Sequence, residues 1–175
     1  FGAEEWTLSN GVKVFWRTVP EVIGTRKVGV AAINEGGFAR DSDVEGMHLL
    51  QNYVRTMGVK DLGRSSMRDL LSSHDASLMA TLGRDASSFS GAASAADFEL
   101  LLQLLHLYIT EPNFSEQAYG DYLGLARTSL GKEKSPKALF AERADSAKYG
   151  GHPWLRRATL STLDRFDREA ARKLY

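Results

Sequence analysis

Apolar and polar residues alternate near the start of the chain: Val12, Val14 and Trp16 interleave with Lys13, Phe15 and Arg17. This run follows Trp6-Thr7-Leu8 across Ser9-Asn10-Gly11. Asn-Gly between two such runs predicts a β-hairpin with both turn positions at positive φ. A second extended run, Lys27 to Asn34, closes on Glu35-Gly36-Gly37. The period then changes from two to 3.6. Met47, Leu50, Tyr53, Val54 and Met57 form an apolar arc, with His48, Gln51, Asn52 and Arg55 opposite. That spacing predicts an amphipathic helix over Val44 to Met57, stopped by Gly58. A short helix is expected at Ser66 to Ser73, then two strands at Ser77 to Leu82 and Ser87 to Ala92, joined at Gly83-Arg84-Asp85.

The remainder reads as helical: Ala95 to Thr110, Ser115 to Lys132, Pro136 to Tyr149, and about Asp164 to Tyr175. Ser94-x-x-Asp97 and a capping box at Asn113-x-x-Glu116 mark two helix starts, and Pro136 suits the first turn of another. Asn113-Phe114-Ser115 also fits a glycosylation sequon, but the cap is the stronger reading on mechanism. Strands, helix, strands and then several helices predict an α+β fold, a mainly antiparallel sheet of four or more strands with helices packed on one face.

Composition narrows the function classes. The 175 residues suffice for one domain with a real core. Lys+Arg and Asp+Glu number 22 each, so no global field invites nucleic acid or an anionic membrane. The absence of cysteine excludes disulfides, thiolate metal sites and cysteine nucleophiles. The longest apolar stretch, Leu100 to Ile109, is interrupted by Gln103 and His106 and reads as a buried helix, with His106 a hydrogen-bonded core residue. No signal peptide is visible, and a start at Phe1 suggests a piece of a longer protein.

Candidate chemistry concentrates in Gly46-Met47-His48-Leu49-Leu50-Gln51-Asn52. His48, Gln51 and Asn52 stand at i, i+3 and i+4 and share one helix face. A zinc site on such a face needs two imidazoles, with a carboxylate to activate water. Here there is one imidazole and two amides. Gln51 cannot accept a proton as a carboxylate does, and the Asn52 oxygen is a poor zinc ligand. Arg55, one turn beyond on the same face, adds a fixed positive charge. His74, His106 and His152 are dispersed, with no second ligand at helical spacing. Ser72-Ser73-His74-Asp75 is adjacency and not a triad, no serine sits in G-x-S-x-G, and Gly36-Gly37 lacks the pattern of a phosphate loop.

The order of these segments resembles the insulinase/pitrilysin-type zinc metallopeptidases, the inverted zincins. Leu8 to Val14 is similar to their opening hairpin and Ala31 to Gly37 to their second strand. Gly46 to Asn52 falls where they carry the zinc motif. Pro112-Asn113-Phe114, Ser135-Pro136, Tyr149 to Trp154, Leu163 to Phe166 and the terminal Leu174-Tyr175 follow in register. The resemblance places His48 at the first ligand of H-x-x-E-H, Gln51 at the general base and Asn52 at the second ligand. The expected third ligand is a glutamate on a later helix. Leu125-Ala126-Arg127-Thr128-Ser129 has no acid, and Asp121 and Glu133 are the nearest.

The resemblance thus implies a degenerate, non-catalytic peptidase domain of the pitrilysin/mitochondrial-processing-peptidase type spanning residues 1–175. It would belong to a longer multi-domain protein whose sheet continues past Tyr175. It implies no metal or cofactor in this domain and zinc in an active half. The implied partners are the neighbouring domains or an active subunit, together with unfolded peptide. Peptide would meet the polar face of the motif helix (His48, Gln51, Asn52, Arg55) and an open strand edge. Neither nucleic acid nor membrane is expected. A bacterial parent would place the protein in the periplasm. Two other readings stand beside this one: a purely structural assembly subunit, and an active hydrolase that borrows zinc ligands from another chain.

Overall fold

A computed structural model describes residues 2–19, 26–37, 47–83, 85–150, 152 and 157–175. The opening hairpin is β1 (Glu4–Thr7) against β2 (Lys13–Trp16), with Trp6 opposite Val14 and Glu4 opposite Trp16. Its turn is longer than a two-residue one. Leu8 N–H donates to the Val12 carbonyl, and only Gly11 has positive φ (84°). Asn10 instead accepts from Val12 N–H through its side chain, at 3.1 Å.

The main sheet contains β3 (Lys27–Glu35), β4 (Ala76–Leu82) and β5 (Ala86–Ser94) in the order β3-β5-β4, all antiparallel. Among the described residues the hairpin is a separate two-stranded sheet, so the expected four-stranded sheet is divided. The segment that joins β2 to β3, residues 20–25, lies outside the described residues. One sheet face turns Leu78, Ala80, Phe89 and Ala93 inward, with Val28 and Val30 half-buried on the same face. The other leaves Ile33 72% and Met79 51% exposed. This is the one-sided cover expected of an antiparallel α+β sheet.

Three helices cover the buried face: α1 (Met47–Met57), α2 (Arg64–Ser73) and α3 (Phe98–Thr110). Val44 to Gly46, the expected first turn of α1, lie outside the described residues. Behind α1 comes α4 (Glu116–Leu130), which packs on α6 (Leu160–Asp164). Two further helices are α5 (Pro136–Tyr149) and α7 (Arg168–Leu174). α1 buries Leu49, Leu50, Tyr53, Val54 and Met57; Leu49 was not in the expected arc, and the side chain of Met47 lies outside the described residues. Tyr53 is the hub. Its ring stacks on Tyr122 at 5.2 Å and meets Phe114, Tyr119 and Phe166 edge-on at 5.5, 5.8 and 6.1 Å. Aromatic pairs of this kind each add about 1 kcal/mol beyond area burial.

The aromatic cluster explains two boundaries that the sequence misplaced. Asn113 is not the N-cap of α4. Phe114 must reach Tyr53, so the chain stays non-helical there and Asn113 N–H donates to the Gly58 carbonyl. Asn113 is buried, its Oδ1 accepts from Ser115 N–H, and Ser115 caps the helix by accepting from Ala118 N–H. The C-terminal helix expected from about Asp164 begins only at Arg168, and α6, which was not expected, ends at Asp164. Phe166 turns inward to Tyr53 and its carbonyl accepts from the Tyr119 hydroxyl, so α6 ends and Asp167 caps α7. α3 likewise starts later than Ala95, and it is buried on one side only. Leu101, Leu104 and Tyr108 face inward, while His106 is exposed with Leu102 and Ile109, not held in the core.

Gly58 ends α1 at φ 79°, and a Cβ there would sit 2.0 Å from the Leu62 carbonyl oxygen. Gly58→Ala is expected to cost about 2–4 kcal/mol through strain and backbone displacement. Urea unfolding reads this directly. An unshifted midpoint would mean that this turn does not hold the α1–α2 junction as described.

Candidate functional site

α1 displays its second face because its first is committed to the core. His48 and Gln51 are half-buried, and Asn52 and Arg55 are exposed. The four lie at i, i+3, i+4 and i+7, one stripe along the helix. Arg55 is not simply solvated, since its Nε–H donates to the Ala80 carbonyl of β4 at 3.3 Å. This contact defines the site, because Ala80 lies in an edge strand.

The ladder shows which groups β4 turns outward. Ser94 N–H donates to the Asp75 carbonyl and Gly83 N–H to the Ala86 carbonyl, so odd-numbered residues of this stretch face β5. Ala76, Leu78, Ala80 and Leu82 therefore direct their backbone groups to the outer edge. Ala76 N–H is used locally by the His74 carbonyl, and the Ala80 carbonyl by Arg55. The strand edge expected to be open is thus closed at Ala80 by a residue of the motif helix. Sequence reading placed Arg55 on the right face but carried no signal for this tether, which spans 25 positions.

The donor set does not fit zinc. His48 brings an imidazole, but Gln51 and Asn52 bring amides, and Arg55 brings a cation held in place by the sheet. Asp121 accepts from Gln117 Nε2 at 2.8 Å, Glu133 is exposed, and Arg127 pairs with Asp164 at 2.7 Å. Among the described residues no cluster of three His, Asp or Glu side chains could hold a metal. The buried face of α1 carries the Tyr53 phenol, whose ring stacks on that of Tyr122. Burial pushes Tyr53 up to about 12 and Tyr122 higher still, so both stay neutral at ordinary pH.

A second polar cluster joins the far end of the sheet to α3. Asp97 accepts from His74 Nδ1 at 2.8 Å, from Ser94 Oγ at 2.7 Å and from Asp75 N–H at 3.1 Å. Asp75 in turn pairs with Lys27 at the start of β3. Ser, His and Asp meet here in an order useless for nucleophilic catalysis, because the carboxylate lies between the other two and no imidazole touches the hydroxyl. The cluster is a strand-end clamp. Ser94-x-x-Asp97 was its sequence signal, read only as a helix cap.

No family model and no curated protein sequence matches the chain. Solved structures do. The peptidase M16 inactive domain from Pseudomonas fluorescens superposes with a TM-score of 0.75 at 17% identity, over 99% of this chain and 43% of that one. The ferredoxin protease FusC, solved as a point mutant in complex with Arabidopsis ferredoxin, gives 0.75 at 21% identity, over 99% of this chain and 19% of that one. The periplasmic protease PqqL from Escherichia coli gives 0.72 at 16%, over 99% and 19%.

The chain has the M16, insulinase/pitrilysin-type peptidase fold. It spans less than half the length of these structures. The α+β class and the one-sided helical cover agree with the expectation from the resemblance. Among the described residues no helix is long and apolar enough to cross a membrane.

The clamp yields a pH prediction. Hydrogen bonds from Ser94 and then His74 hold the Asp97 carboxyl below its ordinary value. A carboxylate depressed in the folded state stabilises the fold above the unfolded pKa, and that contribution is lost as pH falls through the folded one. Asp97→Asn should therefore narrow the stability gap between neutral pH and about pH 3. Thermal melts of both proteins across that window check it. Parallel pH profiles would show that the clamp adds nothing.

Proposed function

We propose that this chain is a non-catalytic domain of a zinc-dependent metalloendopeptidase. In this reading it forms part of the chamber that receives peptide and packs on the active half. The observation that carries this is the stripe His48, Gln51, Asn52 and Arg55, on the helix where an M16-type fold would carry a zinc motif, tied by Arg55 to the adjacent strand edge. The stripe lacks a carboxylate to act as general base and a second imidazole to bind metal. What it has are hydrogen-bond donors and acceptors beside backbone groups of β4. Extended peptides can add to such an edge through main-chain hydrogen bonds that tolerate many sequences.

Neighbouring domains would cover the apolar surfaces that this chain leaves exposed, among them Trp6, Phe15 and Phe140. That same surface favours a second reading, a structural subunit with no part in proteolysis, because it demands burial whatever the stripe does. The likeness to PqqL supports a periplasmic setting for the parent, and zinc is expected in its active half.

Two measurements test the reading. An unfolded fluorescent peptide should bind the full chain without being cut, and metal analysis after dialysis should find no stoichiometric zinc. Retained zinc together with hydrolysis would overturn it, while absence of peptide binding would favour the structural subunit. A complementary prediction concerns the donor set. The double variant Gln51→Glu, Asn52→His should gain zinc affinity by about tenfold or more, from a second imidazole and a carboxylate at helical spacing. Isothermal titration with zinc reads that gain. No change would mean that the stripe is not arranged as an inverted zinc motif.

A further inference from the structure

Three facts about Arg55 converge. Its Nε–H is spent on the outward carbonyl of Ala80, which leaves the two terminal amino groups of the fork with no carboxylate partner among the described residues. The rest of the stripe, His48, Gln51 and Asn52, has no acid to compensate it. β4 presents outward backbone groups at Leu78, one pairing step before Ala80, and no described element pairs with them.

We propose that Arg55 is the terminal anchor of a peptide subsite and selects peptides that present a carboxylate there. The proposal rests on the peptide-recognition reading above. An extended peptide adding to the outer edge of β4 can pair at Leu78 but meets the guanidinium at Ala80, where the acceptor it needs is occupied. Strand addition stops at that point. The group that suits the stopping place is planar, anionic and able to take two parallel N–H donors, which describes a carboxylate. It can come from the peptide's own C-terminus or from an Asp or Glu side chain. The tether fixes the fork and reduces the entropy lost on binding, as pre-organised groups do.

The experiment uses the full chain and fluorescent peptides in matched pairs. One pair has the same sequence with a free C-terminal carboxylate or an amide. A second, amidated pair has one internal Glu or Gln. Anisotropy titrations at low salt should show the carboxylate member of one pair binding about three- to fivefold tighter, the size of an exposed charge pair. Added salt should shrink that preference. The pair that shows the preference identifies the source of the carboxylate.

Arg55→Gln, which keeps a donor for Ala80 but removes the charge, should abolish the preference while circular dichroism and the melting temperature show an intact fold. Arg55→Lys should restore only part of it. Equal affinities within both pairs, or a preference that survives Arg55→Gln, overturns the proposal and leaves peptide recognition standing. If none of the peptides binds, both fall together.

Discussion

The need to bury one face of α1 organises the structure. Leu49, Leu50, Tyr53, Val54 and Met57 cannot be satisfied by the small sheet alone, so the helix is enclosed by β4 on one side and α4 on another. Tyr53 carries the largest share, with four aromatic neighbours drawn from α4 and from the segments before α4 and α7. Its phenol and that of Tyr122 are buried with no hydrogen-bond partner among the described residues, a cost that the ring packing offsets. Where Phe114 and Phe166 turn in to reach it, helices are forced to begin late or break.

That burial sets what α1 offers to a ligand. With its apolar face committed, the stripe from His48 to Arg55 is turned away from the core, and Arg55 at its end reaches the edge of β4. Arg55 then couples helix to strand, a long side chain closing a backbone acceptor that an edge would otherwise expose. In an active inverted zincin the same face would be devoted to a metal ion. Here it holds a guanidinium whose charge is permanent and whose Nε–H is given to the sheet. The Asp97 clamp does comparable work at the far end of the sheet. It ties the starts of β3 and β4 to the end of β5 and the entry to α3, and so keeps β4 in register with β5.

Most elements were legible because their signals are local. The period-two runs at Val12 to Trp16 and Lys27 to Asn34 became strands, and the 3.6 period around Tyr53 became α1. Pro136 after Ser135 opened α5 as expected, with Ser135 accepting from Ala138 N–H. The misplaced boundaries share a cause. Asn113-x-x-Glu116 is a sound cap by composition, but Phe114 has a distant partner, and tertiary packing outweighed a preference worth about 1 kcal/mol. His106 looked buried because its neighbours are leucines. Only the orientation of α3 against the sheet shows that Leu102, His106 and Ile109 face outward together.

The sequence by itself determined the fold class, the helix that matters and the chemistry of its polar face. Residue types and helical spacing suffice to show that His48, Gln51, Asn52 and Arg55 share a stripe without a carboxylate to serve as base. Tertiary structure alone decided what that stripe lies against. The Arg55–Ala80 bond, the inward turn of Phe166 and the meeting of His74, Ser94 and Asp97 join residues with no local pattern in common. Such contacts arise only once a shared core has been buried, because burial of the apolar face brings distant polar groups within bonding distance.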